Sequence, residues 1–336
     1  MKKSSYLIWI LALVTCLVSL AHAGDYPEKD VQGIICWGAG GETDRFSRAL
    51  TPLVEPYLGA SVVLTNKPGG SGAIGLQYVY TAPPDGYTLL YAAENPQLYK
   101  VLGISKLDYE DLYPITIMSR AIPVIAANKD MPWNTFEDLV NDAKAHPGKI
   151  KMGTCGTGTL PHVIGAMIKD VTGIDMISVP FDGTGPGVTA LLGGHIDCFP
   201  ATISGTMEHF RAGRLKILAV VSETPVPGYE DLPLITKDAP GFAKYLPWGS
   251  FFGVFCRKDV SDDIKQKLVD AYKKGSDEPS FKKFVENSGG IQMNISGEEA
   301  YKFLRRWQSN TSWLLHNVGA TKVSPADVGI PKPDQK

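Results

Sequence analysis

Apolar runs alternate with helically spaced apolar positions along the chain, and this alternation is typical of sheets covered by helices. In the first part, runs typical of strands occupy residues 31–37, 61–64 and 87–92. After the first run, apolar residues recur at helical spacing at Phe46, Leu50, Leu53 and Tyr57. Gly59 then ends the predicted helix. The pattern predicts the α/β class.

A second series of the same kind begins near residue 150. Its predicted strands occupy residues 150–152, 176–181, 196–199 and 215–221. The helix after the first of them has a buried face at Ile164, Met167, Ile168 and Val171. A proline-rich stretch follows, and then a strand at residues 250–256 and two amphipathic helices. Two series predict two lobes, each with a mainly parallel sheet flanked by helices.

The first residues predict export. Lys2 and Lys3 precede an uncharged apolar run at residues 6–20, which ends in Ala21-His22-Ala23. That order is typical of a signal peptide, here residues 1–23, cut after Ala23. A permanent membrane anchor is disfavoured because the run is shorter than the ~20 residues that a span needs. A periplasmic location is expected.

Composition excludes several classes of protein. The chain has 33 basic and 35 acidic residues, and the leader removes two lysines and no acid, so nothing favours nucleic acid or a membrane surface. The remaining length of roughly 310 residues predicts two domains. Four cysteines remain, at Cys36, Cys155, Cys198 and Cys256. Their wide spacing argues against zinc and redox motifs, and buried free thiols are expected.

Two glycine- and threonine-rich loops are the strongest candidates for a binding site. The first is GAGGETD at residues 38–44, between a predicted strand and a helix. Its glycines let the backbone approach a ligand, and the free N–H groups of the helix start favour a carboxylate, with help from the Thr43 hydroxyl. The alternative is a tight turn that binds nothing. Asp44 is expected to cap or brace the helix start, and Glu42 either points to solvent or pairs with a ligand ammonium or a cation.

The second loop is GTCGTGTLPH at residues 153–162. It contains more hydroxyl donors than a turn requires, at Thr154, Thr157 and Thr159. His162 is either a donor to a carboxylate or a packed or capping histidine. A third candidate loop contains Thr184 and Gly185, although an ordinary capped helix explains these residues nearly as well.

Enzyme signatures are missing from the sequence. It contains no GxGxxG, GxxxxGK[ST], HExxH or GxSxG motif after the leader. The remaining enzyme hypothesis is a nucleophile built from Cys155 and His162, but nothing in the sequence orients the histidine. We therefore expect no catalytic residue, no cofactor and no metal.

Several segments in this order resemble the receptors of tripartite tricarboxylate transporters, the TctC or Bug-type family of periplasmic solute receptors. The resemblance covers essentially the whole chain after the leader. Its segments are GGETD (40–44), NKPGGSGAIG (66–75), PPDGYTLL (83–90), GTCGTGTLPH (153–162), VPFDGTGPGVTALLGGHID (179–197) and RAGRLKILAV (211–220). Each segment is weak evidence alone, but the set is specific.

The resemblance implies a two-lobed periplasmic binding protein of the Venus flytrap, type II-like, architecture. The first lobe is expected to comprise residues 24–124 and 250–336, and the second residues 125–249. The ligand is expected in the cleft between them, held by backbone groups and hydroxyls. The implied ligand-binding residues are Trp37, Gly40, Gly41, Thr43, Asp44, Glu94, Asn95, Thr154, Cys155, Gly156, Thr157, Thr159, His162, Phe181, Thr184 and Gly185.

Departures from the family's usual residues mark the expected determinants of selectivity. Trp37 enlarges a wall, Cys155 stands where serine is common, and Phe181 stands where tyrosine is common. The implied function is capture of a small carboxylate, an organic di- or tricarboxylate or a related acid. A monomeric receptor would deliver it to the large and small permease subunits of a tripartite transporter. The alternative is the same fold acting as a ligand sensor for a membrane signalling partner.

Overall fold

The computed structural model of the protein describes residues 26–181 and 183–333. The predicted signal peptide and its cleavage site lie outside these residues. In the described part, no helix combines the length and the apolar character needed to cross a membrane.

Strands and helices alternate through most of the chain, which confirms the α/β class. The strands are β1 (Val31–Ile35), β2 (Val62–Asn66), β3 (Thr88–Ala92), β4 (Leu112–Ala121), β5 (Pro123–Asn128), β6 (Lys151–Thr154), β7 (Ile177–Pro180), β8 (Cys198–Thr202), β9 (Leu215–Val220), β10 (Phe251–Arg257) and β11 (Gly290–Ile295). The α-helices are α1 (Glu42–Leu58), α2 (Ala73–Thr81), α3 (Tyr99–Leu102), α4 (Phe136–Ala145), α5 (Leu160–Thr172), α6 (Thr184–Leu192), α7 (Ile203–Arg211), α8 (Ile235–Asp238), α9 (Asp262–Asp277), α10 (Pro279–Asn287) and α11 (Gly297–Asn317). Short 3-10 helices occupy Gly70–Gly72, Asn95–Leu98, Tyr109–Asp111, Pro240–Tyr245 and Ala326–Val328.

The strands form two sheets, one for each lobe. The first lobe has six strands in the order β11-β4-β10-β3-β1-β2, and the second has five in the order β7-β6-β8-β5-β9. In the first sheet β1 pairs in parallel with β2 and β3, whereas β10 pairs antiparallel with β3 and β4, and β11 antiparallel with β4. In the second, β6 is parallel to β7 and β8, and β5 is antiparallel to β8 and β9.

Both sheets are therefore mixed, which corrects the expectation of mainly parallel sheets. The parallel parts are the βαβ units that the alternating pattern indicates, since a parallel pair needs a long crossover. The antiparallel pairs involve β4, β5 and β10, the strands next to the two places where the chain passes between lobes.

The two crossings lie side by side. After β4 the chain enters β5 through Ile122, and it returns to the first sheet just before β10. The Ala121 N–H donates to the Ser250 carbonyl oxygen at 2.8 Å and links the crossings. The first crossing places Pro123 and Val124 in β5 of the second sheet, and the second crossing places Phe251 in β10 of the first.

Helix α1 shows how local pattern and packing combine. Its buried apolar side chains are Phe46, Leu50, Val54 and Leu58, and they pack in the core of the first lobe. The predicted buried face of α1 is wrong at Tyr57, whose side chain is 43% exposed. Positions 50, 54 and 58 are spaced by four residues and so share a face, which Tyr57 does not.

Several strands and α-helices were not predicted from the sequence. They are β4, β11, α3, α4, α7, α8 and the third helix of the closing segment, where we expected two helices. Helix α7 has few apolar side chains, and residues of β11 are only partly buried, so neither gives a strong periodic signal.

Candidate functional site

A cleft of about 750 Å³ is lined by residues of both lobes. Its walls include the first residues of four helices, α1 from the first lobe and α5, α6 and α7 from the second. The residues before these helices are Gly41, Thr159, Gly183 and Thr202, and all four line the cleft. The first N–H groups of a helix have no partner within it and carry partial positive charge. The cleft is thus surrounded by donors.

Three of these four helix starts have no side-chain cap. No side chain accepts a hydrogen bond at the N-cap of α1, α5 or α6. At α7, by contrast, the Thr202 hydroxyl oxygen accepts from the Gly205 N–H at 3.3 Å. Buried or half-buried helix ends normally find partners. The uncapped N–H groups of α1, α5 and α6 can therefore serve a ligand.

Asp44 braces the first glycine loop, as one of the sequence hypotheses proposed. One carboxylate oxygen accepts from the Gly40 N–H at 2.9 Å, and the other accepts from the Asn66 amide and from Arg48, each at 2.9 Å. Burial acts to raise the pKa of Asp44, but these hydrogen bonds and the positive charge of Arg48 outweigh it and hold the pKa below its ordinary value. The carboxylate fixes the loop from behind and does not line the cleft.

The second glycine loop is also braced internally. The Thr159 hydroxyl donates to the Gly156 carbonyl oxygen at 2.7 Å, and the Gly158 N–H donates to His162 Nδ1 at 3.2 Å. Gly156 and Gly158 have φ angles of 95° and 81°, which favour glycine. Burial lowers the pKa of His162. His162 is therefore a neutral ring that accepts through Nδ1 and supports the turn.

The structure brings many of the predicted site residues together in the cleft. Those that line it are Trp37, Gly40, Gly41, Thr43, Glu94, Asn95, Cys155, Thr159, Thr184 and Gly185. Those that do not are Asp44, Thr154, Gly156, Thr157, His162 and Phe181. Gly156 and Thr157 are exposed, and Phe181 packs beside the core of the second lobe. Asp44 and His162 brace the loops whose other residues line the cleft.

Glu42 does not simply point to solvent, which was the first of the two hypotheses about it. Among the described residues it meets no cation, and its pairing with a ligand ammonium stays a prediction. Its Oε1 accepts from the Thr202 hydroxyl at 2.7 Å and from the Ser204 hydroxyl, both in the second lobe. The start of α7 supplies these donors, and a glutamate at the start of α1 reaches them across the cleft. Glu42 joins the two lobes.

Glu94 and Asn95 follow β3 and are both buried. The Asn95 side-chain amide donates to the Gly158 carbonyl oxygen at 3.2 Å, which is a second bond between the lobes. Glu94 Oε1 accepts from the Ser250 hydroxyl at 2.9 Å. Burial raises the pKa of Glu94 to about 7, with a smaller contribution from the charge of Glu42.

The four cysteines of the described part are free thiols, as predicted. Cys36, Cys198 and Cys256 are buried, and Cys155 is partly buried in the cleft wall. Burial raises the pKa of the Cys155 thiol to about 11, so little thiolate exists at neutral pH. His162 Nδ1 accepts from the Gly158 N–H, so this ring nitrogen is not free to take a proton from Cys155. The raised pKa also disfavours Cys155 as a nucleophile. Among the described residues, no three histidine, cysteine, aspartate or glutamate side chains are grouped as metal ligands.

Six polar residues that line the cleft were not predicted from the sequence: Arg45, Thr189, Thr202, Ser204, His209 and Ser250. Thr202 ends β8 and directly precedes α7. A threonine after a predicted strand is a common helix N-cap, and this could have indicated the start of α7. Ser250 comes from the second crossing. Its position at the cleft depends on the approach of two distant segments and has no local signature.

Two lobes, two crossings and a cleft walled by helix starts define a periplasmic binding protein. The chain matches the tripartite tricarboxylate transporter family receptor (TctC) over residues 47–319, and it belongs to that family. The family consists of solute-binding receptors and its fold class places the protein in the periplasm, as the sequence predicted.

Individual relatives agree with this assignment. A UPF0065 protein of Bordetella pertussis is 27% identical over 95% of this chain and 99% of its own length. A TctC solute-binding protein from Polaromonas is 28% identical over 87% of this chain and 99% of its own, with a TM-score of 0.70. The periplasmic binding protein BugD is 26% identical over 91% of this chain and 100% of its own, with a TM-score of 0.75.

Proposed function

We propose that this receptor captures a small carboxylate, an organic di- or tricarboxylate or a related acid, by closing its lobes around it. The observation that carries this proposal is the convergence of four helix starts on one cleft, three of them without a side-chain cap. Unpaired N–H groups at helix N-termini bind anions through hydrogen bonds and the helix dipole together.

The magnitudes are sufficient for binding without a buried arginine. Each charge-assisted hydrogen bond contributes about 1.5–3 kcal/mol net, so three or four of them reach the roughly −8 kcal/mol of micromolar affinity after ordering costs. One of the four helix starts belongs to the first lobe and three belong to the second, so neither lobe alone supplies all of the donors. The ligand therefore favours the closed arrangement, in which both sets of donors are satisfied.

Two proteins of the same fold have been solved with carboxylates. Rpa4515 of R. palustris was solved with adipate and is 22% identical with a TM-score of 0.80. MatC from Rhodopseudomonas palustris was solved with malate and is 22% identical with a TM-score of 0.73. At this identity the likeness concerns the fold, and these ligands are starting points for a screen.

The remaining parts of the proposal concern export and delivery. The chain is cut after Ala23, acts as a monomer, and passes its ligand to the large and small permease subunits of a tripartite transporter. Family membership and the Lys2-to-Ala23 leader pattern support this sequence of events. It performs no chemistry on the ligand, which is consistent with the protonated Cys155 thiol.

A thermal-shift screen of residues 24–336 tests carboxylate capture. Adipate, malate, succinate, citrate, aspartate and 4-aminobutanoate are compared with glucose and putrescine. At a hundred times its dissociation constant a true ligand adds about 2.7 kcal/mol of stability, which is readily visible as a raised Tm. At least one carboxylate is expected to do this and to be recovered unchanged.

Thr43→Val is expected to weaken that binding about ten-fold, the order of one lost hydrogen bond to a charged group, because Thr43 lines the cleft. The matched control is Thr81→Val, an exposed threonine that caps nothing in the cleft. Stabilisation by glucose or putrescine and by no carboxylate would overturn the proposal.

A further inference from the structure

Glu94 is a buried carboxylate with an unused oxygen on the wall of the cleft. The side chain is 4% exposed, and its Oε1 accepts from Ser250. Its Oε2 is buried and has no hydrogen-bond partner among the described residues. Buried polar atoms are rarely left unpaired, and a carboxylate oxygen is among the most costly to leave so. An unpaired oxygen at a ligand cleft indicates a partner that arrives with the ligand.

The backbone fixes Glu94 in this position. It lies between β3 and the 3-10 helix Asn95–Leu98, and its carbonyl oxygen accepts from the Gln97 N–H at 3.1 Å. Ala93 and Asn95 on either side are buried as well. The segment is held inside the protein, so the carboxylate cannot turn to bulk water, and the cleft is the space it faces.

The groups around Glu94 leave its charge uncompensated. Cys36, Tyr99 and Tyr109 lie near it, and burial raises the pKa of each of them, so all three are neutral at pH 7. The neighbouring charged group is Glu42, which has the same sign and raises the pKa of Glu94 further. No lysine, arginine or histidine of the described residues forms an ion pair with Glu94. Arg45 and His209 also line the cleft, but neither pairs with Glu94. The two acids therefore share the cleft with the helix starts that favour an anion.

We propose that Glu94, supported by the charge of Glu42, binds a protonated amine of the ligand, so that the preferred ligand is an amino carboxylate. The helix starts hold its carboxylate and Glu94 Oε2 accepts from its ammonium group. A dicarboxylate of the same length would leave Oε2 unpaired and place a second negative charge beside two acids. This inference rests on the proposed capture of carboxylates and narrows it to one class.

The proposal fixes the direction of the pH dependence. Burial holds the pKa of Glu94 at about 7. An ammonium group binds the ionised form, so its affinity is lost as the pH falls through that value, by about ten-fold between pH 8 and pH 6. A dicarboxylate that accepted a hydrogen bond from protonated Glu94 would show the opposite trend and bind more tightly at pH 6.

The test uses pairs of probes with matched chain lengths. Calorimetric titrations of residues 24–336 at pH 8 and pH 6 compare 3-aminopropanoate with malonate, 4-aminobutanoate with succinate, and 6-aminohexanoate with adipate. Aspartate is compared with succinate to include an α-amine. In the pair that fits the cleft, the amino carboxylate is expected to bind at least about ten-fold more tightly at pH 8, the order of one charge-assisted hydrogen bond.

Glu94→Gln is expected to abolish both that preference and the pH trend. The matched control is Glu208→Gln, whose side chain is 92% exposed and which does not line the cleft. Glu208→Gln is expected to retain the preference. The wild-type pH series needs no variant, so the result stands even if Glu94→Gln folds poorly.

The possible outcomes separate the two proposals. If dicarboxylates bind as tightly as their amino partners in every pair, or bind more tightly at pH 6, the ammonium subsite is wrong while carboxylate capture stands. If no probe with a carboxylate binds at either pH, carboxylate capture itself is wrong.

Discussion

At the scale of single residues, two carboxylates two positions apart at the start of α1 have different roles. Asp44 points away from the cleft and accepts hydrogen bonds from the Gly40 N–H, the Asn66 amide and Arg48. Glu42 turns into the cleft and accepts hydroxyl bonds from the other lobe. Side chains two positions apart on a helix point in directions about 200° apart, because each residue turns the helix by about 100°. One acid therefore builds the loop and the other contacts its surroundings.

Asp44→Ala is expected to reduce the free energy of unfolding by about 1–3 kcal/mol at pH 7, because Gly40 and Asn66 lose a charged acceptor. The folded-state pKa of Asp44 is below its ordinary value, so its contribution is complete above about pH 3.9 and disappears as the pH falls through the lowered value. Urea unfolding at pH 7, 5 and 3 measures both effects. The control is Asp130→Ala, at a side chain that is 75% exposed. Equal stability of the two variants at pH 7 would show that Asp44 braces nothing.

At the scale of elements, the two crossings between the lobes depend on one glycine. A Cβ atom on Gly249 would lie 2.0 Å from the carbonyl oxygen of Ala121. Trp307 from α11 donates to the Gly249 carbonyl oxygen at 3.0 Å and stacks on Trp248 with ring centroids 5.7 Å apart. Helix α11 thus holds the crossing before β10 against the crossing after β4.

Gly249→Ala is expected to cost about 1–3 kcal/mol of stability, the range for overpacking, because backbone cannot yield as a flexible side chain does. The matched variant is Gly38→Ala, where a Cβ would meet nothing within 4 Å and stability is expected to change little. Thermal or urea unfolding compares the two. A Gly249→Ala protein as stable as Gly38→Ala would mean that the crossings shift easily.

At the scale of the whole molecule, polar side chains that line the cleft form hydrogen bonds between the lobes. Glu42 accepts from Thr202 and Ser204, and Asn95 donates to Gly158. Each bond pairs groups from separate lobes, so opening the cleft breaks it. These bonds stabilise the closed arrangement of the lobes, and a bound ligand stabilises it further.

Ser204→Ala removes one hydroxyl donor to Glu42 and the 3.1 Å contact between the Ser204 and Thr202 hydroxyls, but it keeps the Thr202 side chain that caps α7. Losing a hydrogen bond to a charged group costs about 1.5–3 kcal/mol, so the closed fraction of the empty protein is expected to fall by about ten-fold or more relative to the open form. Small-angle scattering measures the larger radius of gyration that follows. Ser222→Ala, whose hydroxyl bonds only within its own loop, is the control. An unchanged radius would show that the Glu42 bonds do not set the lobe equilibrium.

The fold class and much of the site followed from local sequence signals. The βαβ units around β1 and β6 have strand-like runs, glycine loops and helical spacing within some thirty residues, so residue patterns alone located them. The brace role of Asp44 was also foreseeable, since acids near a helix start commonly cap it. The family assignment added the cleft and the opposite placement of the two glycine loops.

Other features depended on segments far apart in the chain. The antiparallel pairing of β10 with β3 and β4 joins segments more than 130 residues apart, and Ser250 reaches Glu94 from the same return crossing. The turn of Glu42 toward Thr202 and Ser204 needed the position of α7, a helix with too few apolar residues to be noticed.

The sequence by itself determined the donors, because glycines, threonines and helix starts are local properties of the chain. Only the tertiary structure decided how the charges are balanced. Burial depends on everything packed around a side chain, so it took the folded cleft to place Glu94 with an unpaired oxygen, Glu42 between the lobes and the Cys155 thiol in its protonated form.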